Sequence, residues 1–376
     1  MTDYTAIRRD LHNHPQTAGS ENYAHDMVVR HLQQLHPDRV FTHVGGWGIV
    51  AVWEAAEEQK YTSHQPDTTP TVAFRADIDA LPIGHRCGHD GHTTILMRLA
   101  ELVDEAKSAS QHSSLIANHN ILLLWQPAEE TGQGARAVME SGVLQQYNIV
   151  RFYALHNLPG YPVGTVVLCP HTFAAASTGV VYHLDGRETH ASTPELGLNP
   201  GRAVAAMIER FDAFNGSSVQ DADFRQSTLI CVNLGSPAFG TSAGHAEVMF
   251  TLRAFSNDVM QRLLADANKA VDEIAARWGL TVTRSLVEPF RATENTAECV
   301  EEIRKAAESL SLDVCCRVEP NRWSEDFAEY LSEYQGAMFG MGSGESQAEL
   351  HRPDYDFPDA LIEPAARLFL RLATGA

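Results

Sequence analysis

The chain has 376 residues, 44% of them hydrophobic, with 28 Lys and Arg against 48 Asp and Glu for a formal charge of −20. The length suggests two domains, the composition excludes wholesale disorder, and so acidic a surface disfavours nucleic acid and anionic membrane as partners. No apolar run reaches the roughly 18 residues of a membrane span, and residues 1–20 lack an apolar signal core, so a cytoplasmic location is expected.

In chain order, Ile7 and Leu11, then Met27, Val28, Leu32 and Leu35, recur at helical spacing, and 47–53 reads as a strand. The polar, Pro-ended stretch 54–70 reads as a hairpin loop or a frayed excursion. A strand at 71–75 runs into RADIDALP (75–82), and Ile95, Leu96, Leu99 and Leu102 predict a helix from about Gly91 to Ser108. The wholly apolar 121–125 is a short strand, 131–145 a helix and 149–155 another strand. Apolar strands alternating with helices indicate an α/β domain with a largely parallel, buried sheet. The chemistry-bearing residues are expected just after strand ends, where such sheets build ligand sites.

From about 176 the pattern changes. Strands are expected at 177–184, 227–234, 247–255 and 280–286, with helices at 200–214 and 257–278. This β-α-β-β-α-β order is the ferredoxin-like unit. The expected organisation is therefore a discontinuous α/β domain, 1–175 and 289–376, with a ferredoxin-like α+β domain inserted at 176–288.

The 18 histidines are the oddity of the composition, and HRCGHDGH (85–92) is their densest cluster. Cys87 and His89, two apart among glycines, can face one metal ion. The adjacent Glu129 and Glu130 follow an apolar strand and are placed at a sheet edge facing a cleft. On an irregular turn they point in different directions, so one can bind metal while the other meets a water. His156 and His351 add two imidazoles after further strands. One thiolate, three imidazoles and two carboxylates suit a two-metal hydrolytic site with one glutamate left as base. The remaining cysteines, Cys169, Cys231, Cys299, Cys315 and Cys316, are expected to be buried small apolar residues.

The segments RRDLHNHP (8–15), RADIDALP (75–82), CGHDGH (87–92) and QPAEE (126–130) resemble the dinuclear amidohydrolases of metallopeptidase family 20. LHNLPG (155–160), His190 with GLNP (197–200), EDF (325–327) and LHRP (350–353) extend the likeness in order along nearly the whole chain. It is closest to the branch of hippurate hydrolase, N-acyl-amino-acid deacylases and indole-acetyl-amino-acid hydrolase. The resemblance implies a zinc-exopeptidase-like catalytic domain and an inserted lid and dimerisation domain. It implies that Cys87 bridges or holds two metals, that His89, Glu130, His156 and His351 complete their shell, and that Glu129 is the general base. It also implies that His190, from the inserted domain, holds the substrate's carbonyl or carboxylate. Zinc or manganese is expected, with cobalt or nickel also compatible. The expected partner is a small N-acyl amino acid or peptide-like substrate, with homodimerisation through the inserted domain.

Two departures stand out. Only Gly84, His85 and Arg86 separate the LPI and CGH segments, where relatives carry a longer loop. The stretch 235–243 also replaces an asparagine that in relatives serves the substrate. Asp77 and Asp79 are expected to support the site, and His12, His14, His85 and His92 to be structural or supporting. A serine nucleophile is disfavoured because GESQA (344–348) lacks the last glycine of an elbow, and GGWG (45–48) has the wrong spacing for a phosphate loop. A dipeptidase or carboxypeptidase is the alternative enzyme, and a non-catalytic sensor that keeps the fold is the alternative outside catalysis.

Overall fold

The computed structural model describes residues 2–55, 67–108, 118–216, 218–221 and 223–375. The chain divides into two compact units, one of Met1–Phe173, Thr293–Val318 and Asp326–Ala376, the other of Ala174–Ala292 and Glu319–Glu325. The first unit opens with α1 (Tyr4–Asn13), α2 (Asn22–Leu32), β1 (Arg39–Val44), β2 (Gly48–Trp53), β3 (Asp67–Asp77) and α3 (His89–Ser108). It continues with β4 (Asn120–Gln126), α4 (Gly134–Glu140), β5 (Tyr147–Pro159) and β6 (Val166–Leu168). The second unit holds β7 (Ala176–Asp185), β8 (Thr189–His190), α5 (Gly201–Asp212), β9 (Arg225–Leu234), β10 (Thr241–Ser242), β11 (His245–Ala254), α6 (Asn257–Trp278) and β12 (Thr281–Phe290). The chain then returns to the first unit as α7 (Ala297–Ser309), β13 (Val314–Cys316), α8 (Ala328–Leu331), β14 (Gly336–Gly344) and α9 (Ile362–Ala373).

Among the described residues the first unit's sheet has the order β1-β2-β4-β3-β5-β14-β6-β13. The central four strands, β4, β3, β5 and β14, run parallel, while β1, β2 and β6 join antiparallel to their inner neighbours. The apolar run ILLLW explains why β4 sits inside. Ile121, Leu123 and Trp125 join a core with residues of α3 and α9, and Leu122 and Leu124 are equally buried on alternate positions. Phe152 packs against the rings of Phe327, Tyr330 and Tyr334. The four parallel strands bring their C-terminal ends to one edge of the sheet, and the site grows from the loops there.

In the second unit the sheet order is β12-β7-β11-β9, antiparallel throughout. Counted within the unit this is 4-1-3-2, the ferredoxin-like arrangement. Val180, Tyr182 and Leu184 alternate inward against Phe211 of α5 and Leu263 and Val271 of α6. β8 and β10 form a separate two-stranded pair.

Several local expectations are corrected. The helix expected at 131–145 shrinks to α4, since left-handed Gly132 and Gly142 (φ +65° and +73°) bracket it. β1 was not anticipated, because its residues are mostly exposed and leave no apolar pattern. The expected loop at 54–70 falls largely outside the described residues, and 67–70 already belong to β3. Cys169 and Cys299 are buried, but Cys231 and Cys315 are half-buried and Cys316 is exposed. Those three lie on β9 and β13, the last strands of their sheets, which among the described residues have no further strand on one side.

Candidate metal centre

Four segments at the C-terminal ends of the parallel strands carry the chemistry. Beyond β3 the chain reaches Cys87 and Gly88 before α3 begins at His89. Gly88 has φ +101°, and a Cβ there would lie 2.3 Å from Asn157 Oδ1, so only glycine admits this close approach. Beyond β4, Glu129 and Glu130 occupy a single 3₁₀ turn entered through Ala128 in the left-handed conformation (φ +54°). His156 lies inside β5, opposite Gly340 of β14, because that strand runs on to Pro159. His351 (φ +65°) lies beyond β14, its N–H donating to Arg86 O at 2.8 Å. One expectation is thereby corrected, since His156 is within a strand rather than after one. The glutamate pair follows β4, an interior strand, at the edge of the sheet formed by the strand ends.

These segments converge. The potential ligand atoms of Cys87, His89 and His156 lie within 4.8 Å of one another, and so do those of Cys87, Glu130 and His351. Cys87 belongs to both triads. His89, Glu129 and Glu130 form a third such group, with His89 Nε2 at 3.9 Å from Glu129 Oε2 and 3.7 Å from Glu130 Oε1. Cys87 Sγ is 3.6 Å from His156 Nε2.

Hydrogen bonding leaves the imidazoles aimed for coordination. His89 Nδ1 donates to Asp79 O at 3.0 Å, and His156 Nδ1 donates to Asn157 O at 2.9 Å. A carbonyl at Nδ1 fixes the tautomer whose Nε2 carries the lone pair. His89 Nε2 is buried with no hydrogen-bond partner among the described residues. A buried polar atom left so, facing a thiol and two carboxylates, is the mark of a site built for a cation. The mixed sulfur, nitrogen and oxygen donors suit a zinc-like divalent ion. The residues present therefore fit a metal.

A buried polar frame supports them. His92 sits 2.7 Å from Asp77 Oδ1 through Nδ1 and 2.5 Å from Asn157 Oδ1 through Nε2, so both its nitrogens are engaged within the protein. Asn157 Nδ2 donates to Cys87 O at 3.1 Å and to Tyr355 Oη at 2.5 Å. Asp79 Oδ2 accepts the N–H of Glu130 at 3.0 Å. Arg75 donates to Asp77 (2.7 Å), Gln126 (2.8 Å) and Asp326 (2.9 Å), and Asp326 also accepts from Gln126 and from the Ala135 N–H. Asn157 stood inside a recognised segment without a role, and Tyr355 carried no local signal at all.

The electrostatics follow from burial. Burial pushes the Cys87 thiol well above its ordinary range and the His156 imidazole well below its own. Burial also lowers His351, and nearby His89 adds to the effect. Burial would raise the Asp77 carboxyl, but His89, His92 and Arg75 outweigh it and hold the group well below the usual carboxylate range. His85 is buried and its imidazole is pushed down to about 4.

His190 belongs to the second unit. It is exposed on β8, opposite Thr241 of β10, with Nδ1 2.7 Å from Ser192 Oγ. His12, Asp90 and Asp356 form a further group within 4.8 Å, but Arg8 already pairs with Asp90, Asp356 and Asp359, making this an ionic clamp of the first unit. His14 stacks on Tyr23.

A family model described as peptidase family M20/M25/M40 matches residues 73–375. N-acetylcysteine deacetylase of Bacillus subtilis (strain 168) is 24% identical over 98% of this chain and 95% of its own. N-acetyldiaminopimelate deacetylase of the same organism is 27% identical over 98% and 97%. Among solved structures, a dinuclear metal-binding peptidase of the M20 family from Bacillus subtilis superposes with a TM-score of 0.81 at 24% identity, covering 99% of this chain and 96% of that one. No helix among the described residues is long and apolar enough to cross a membrane.

Proposed function

The chain belongs to the M20/M25/M40 peptidase family of hydrolases, and from that premise we propose that it hydrolyses the amide bond of N-acyl amino acids at a site holding two divalent metal ions. The observation that carries this reading is the pair of triads sharing Cys87, with two imidazoles already oriented Nε2-inward. Cys87, His89, Glu130, His156 and His351 are assigned to the metals, with zinc or manganese as the first candidates. When bound, such ions supply Lewis acidity that brings the pKa of water from 15.7 to about 7.

Glu129, buried beside Glu130, is assigned to accept the proton of the attacking water. As the acyl C–N bond breaks, the same carboxyl returns that proton to the departing nitrogen, releasing a carboxylic acid and the amino acid. Asp77, Asp79 and Asn157 hold the imidazoles and backbone in place. His190 is assigned to holding the substrate's carbonyl or carboxylate, on the strength of the sequence resemblance. The names of the relatives favour acetyl as the first acyl group to try. A cytoplasmic homodimer formed through the second unit completes the reading.

The test is turnover on acetyl-, benzoyl- and longer acyl-amino acids beside Gly-X dipeptides, with and without chelator. No metal-dependent release of amino acid from any acylated substrate sinks the proposal, and release from the dipeptides alone substitutes the peptidase reading. Glu129→Gln should lower kcat by about 10²–10⁴-fold with metal retained, and loss of metal instead would make Glu129 a ligand. His190→Ala should impair turnover without loss of metal.

A further inference from the structure

The turn that carries Glu129 is held partly from within and partly by distant segments. It is entered at Ala128, whose φ of +54° and ψ of +37° place a side-chain-bearing residue in a conformation that favours glycine, and its own side chains supply no N-terminal cap. Its backbone groups are instead gripped one by one. Ala128 O accepts from Gly134 N–H (3.1 Å) and Thr131 Oγ1 (3.2 Å), Glu129 O from Gly132 N–H (2.8 Å), and Asp79 Oδ2 takes the Glu130 N–H. The Ala128 N–H goes to Glu21 Oε1 at 2.9 Å, across 107 residues of sequence.

Glu21 is fully buried at the start of α2, yet its carboxylate does not cap that helix. Its second oxygen, Oε2, is buried with no hydrogen-bond partner among the described residues. Backbone N–H groups of Glu21 itself and of Gly19 also stabilise this carboxylate, and the Ala128 bond is the one that ties it to the turn carrying Glu129.

We propose that Glu21 is a positioning residue for Glu129, its carboxyl oxygen clamping the Ala128 N–H and so fixing the left-handed entry that points the base. This rests on the reading of Glu129 as general base. Asp79 holds Glu130 through its own hydrogen bond, so loss of the Glu21 clamp is expected to separate the aim of the base from the retention of metal.

The experiment compares Glu21→Ala with Glu21→Gln in the full chain, reading kcat, KM, bound metal per chain and amide hydrogen exchange. Glu21→Ala should lower kcat about 100-fold with KM and metal content nearly unchanged, since a displacement of about 1 Å at a reacting group has that effect. Exchange should accelerate locally in peptides spanning 126–133. Glu21→Gln keeps an acceptor oxygen at the same reach and should restore both kcat and protection. Should Glu21→Ala not fold, Glu21→Asp, which retracts the oxygen by one methylene, should show the same loss. An unaltered kcat in Glu21→Ala, a glutamine variant as impaired as the alanine, or exchange accelerated evenly over the first unit would each overturn the proposal. If the wild-type protein cleaves no N-acyl amino acid, the functional reading fails by itself. Exchange at 126–133 then decides the clamp, and unchanged protection in Glu21→Ala ends it.

Discussion

At Asn157 a single side-chain amide joins three segments of the site, reaching the Cys87 carbonyl, the Tyr355 hydroxyl and the His92 ring. Removing it should loosen the loop that carries Cys87 while leaving every proposed ligand in the chain. Asn157→Ala is expected to weaken metal binding about 10–100-fold, the usual effect of losing a group that orients ligands. Competition with a chelator measures this, and an affinity within about twofold of wild type would refute the role. A second residue-scale expectation concerns pH. His31 is buried with Nε2 3.0 Å from Met97 O, and burial holds its imidazole below the ordinary value of 6.5. The unfolded chain takes up that proton near pH 6.5 and the folded chain only at lower pH, so the unfolded state binds more protons between the two values. Stability of the first unit should therefore fall as pH drops from 6.5 through the folded pKa. His31→Gln should flatten that part of a denaturation-versus-pH profile, and an unchanged slope would assign it to other groups.

Among the elements, α6 shows most directly how the second unit is built. Its 22 residues begin where Ser256 Oγ accepts the Val259 N–H at 3.2 Å and end at Gly279, whose φ of +66° closes the last turn. Between these caps Val259, Leu263, Ala267 and Val271 recur at helical spacing and are buried. Ser256→Ala should destabilise the second unit by about 1 kcal/mol. Denaturant titration followed by the fluorescence of Trp278 tests this, and a midpoint equal to wild type would show that the cap contributes nothing. The short 3₁₀ turn of Glu129–Thr131 is the contrasting case. It makes few bonds of its own and is also held from outside by Glu21 and Asp79.

For the molecule as a whole, Arg75 ties β3 to Asp326, 251 residues further along the chain, through a salt bridge whose side chains are almost fully buried. Losing Asp326 leaves Arg75 its Asp77 partner but takes a buried acceptor from the guanidinium, from Gln126 and from the Ala135 N–H. Asp326→Ala should therefore destabilise the first unit by about 1–3 kcal/mol or more. A change below about 1 kcal/mol would mean that water enters and compensates the guanidinium. Metal removal belongs to the same scale. Asp77, Glu129 and Glu130 stand with Cys87 around His89, and cations bound only by the folded state add RT ln(1 + [L]/Kd) to its stability. Chelation should lower Tm, and readdition of zinc or manganese should restore it. An indifferent Tm would contradict the assigned ligands.

The sequence by itself determined which stretches become strands and helices wherever burial imposes a period. The apolar run of β4 and the helix α6 were both legible, and α6 was bounded at 257–278 as observed. It also marked the residues whose chemistry needs partners, because Cys-x-His among glycines, adjacent glutamates and histidines close to apolar runs are local patterns. Exposed β1 and the turn-bounded α4 were illegible or misjudged, since nothing periodic distinguishes an uncovered edge strand and two left-handed glycines decide where a helix stops. Only the tertiary structure decided which side chains meet. Glu21 reaching Ala128, Asn157 reaching Tyr355 and Arg75 reaching Asp326 join positions 107, 198 and 251 residues apart. No local propensity encodes such contacts, because they exist only once packing of the parallel sheet has brought its strand ends together and each buried polar group has had to find its partner there.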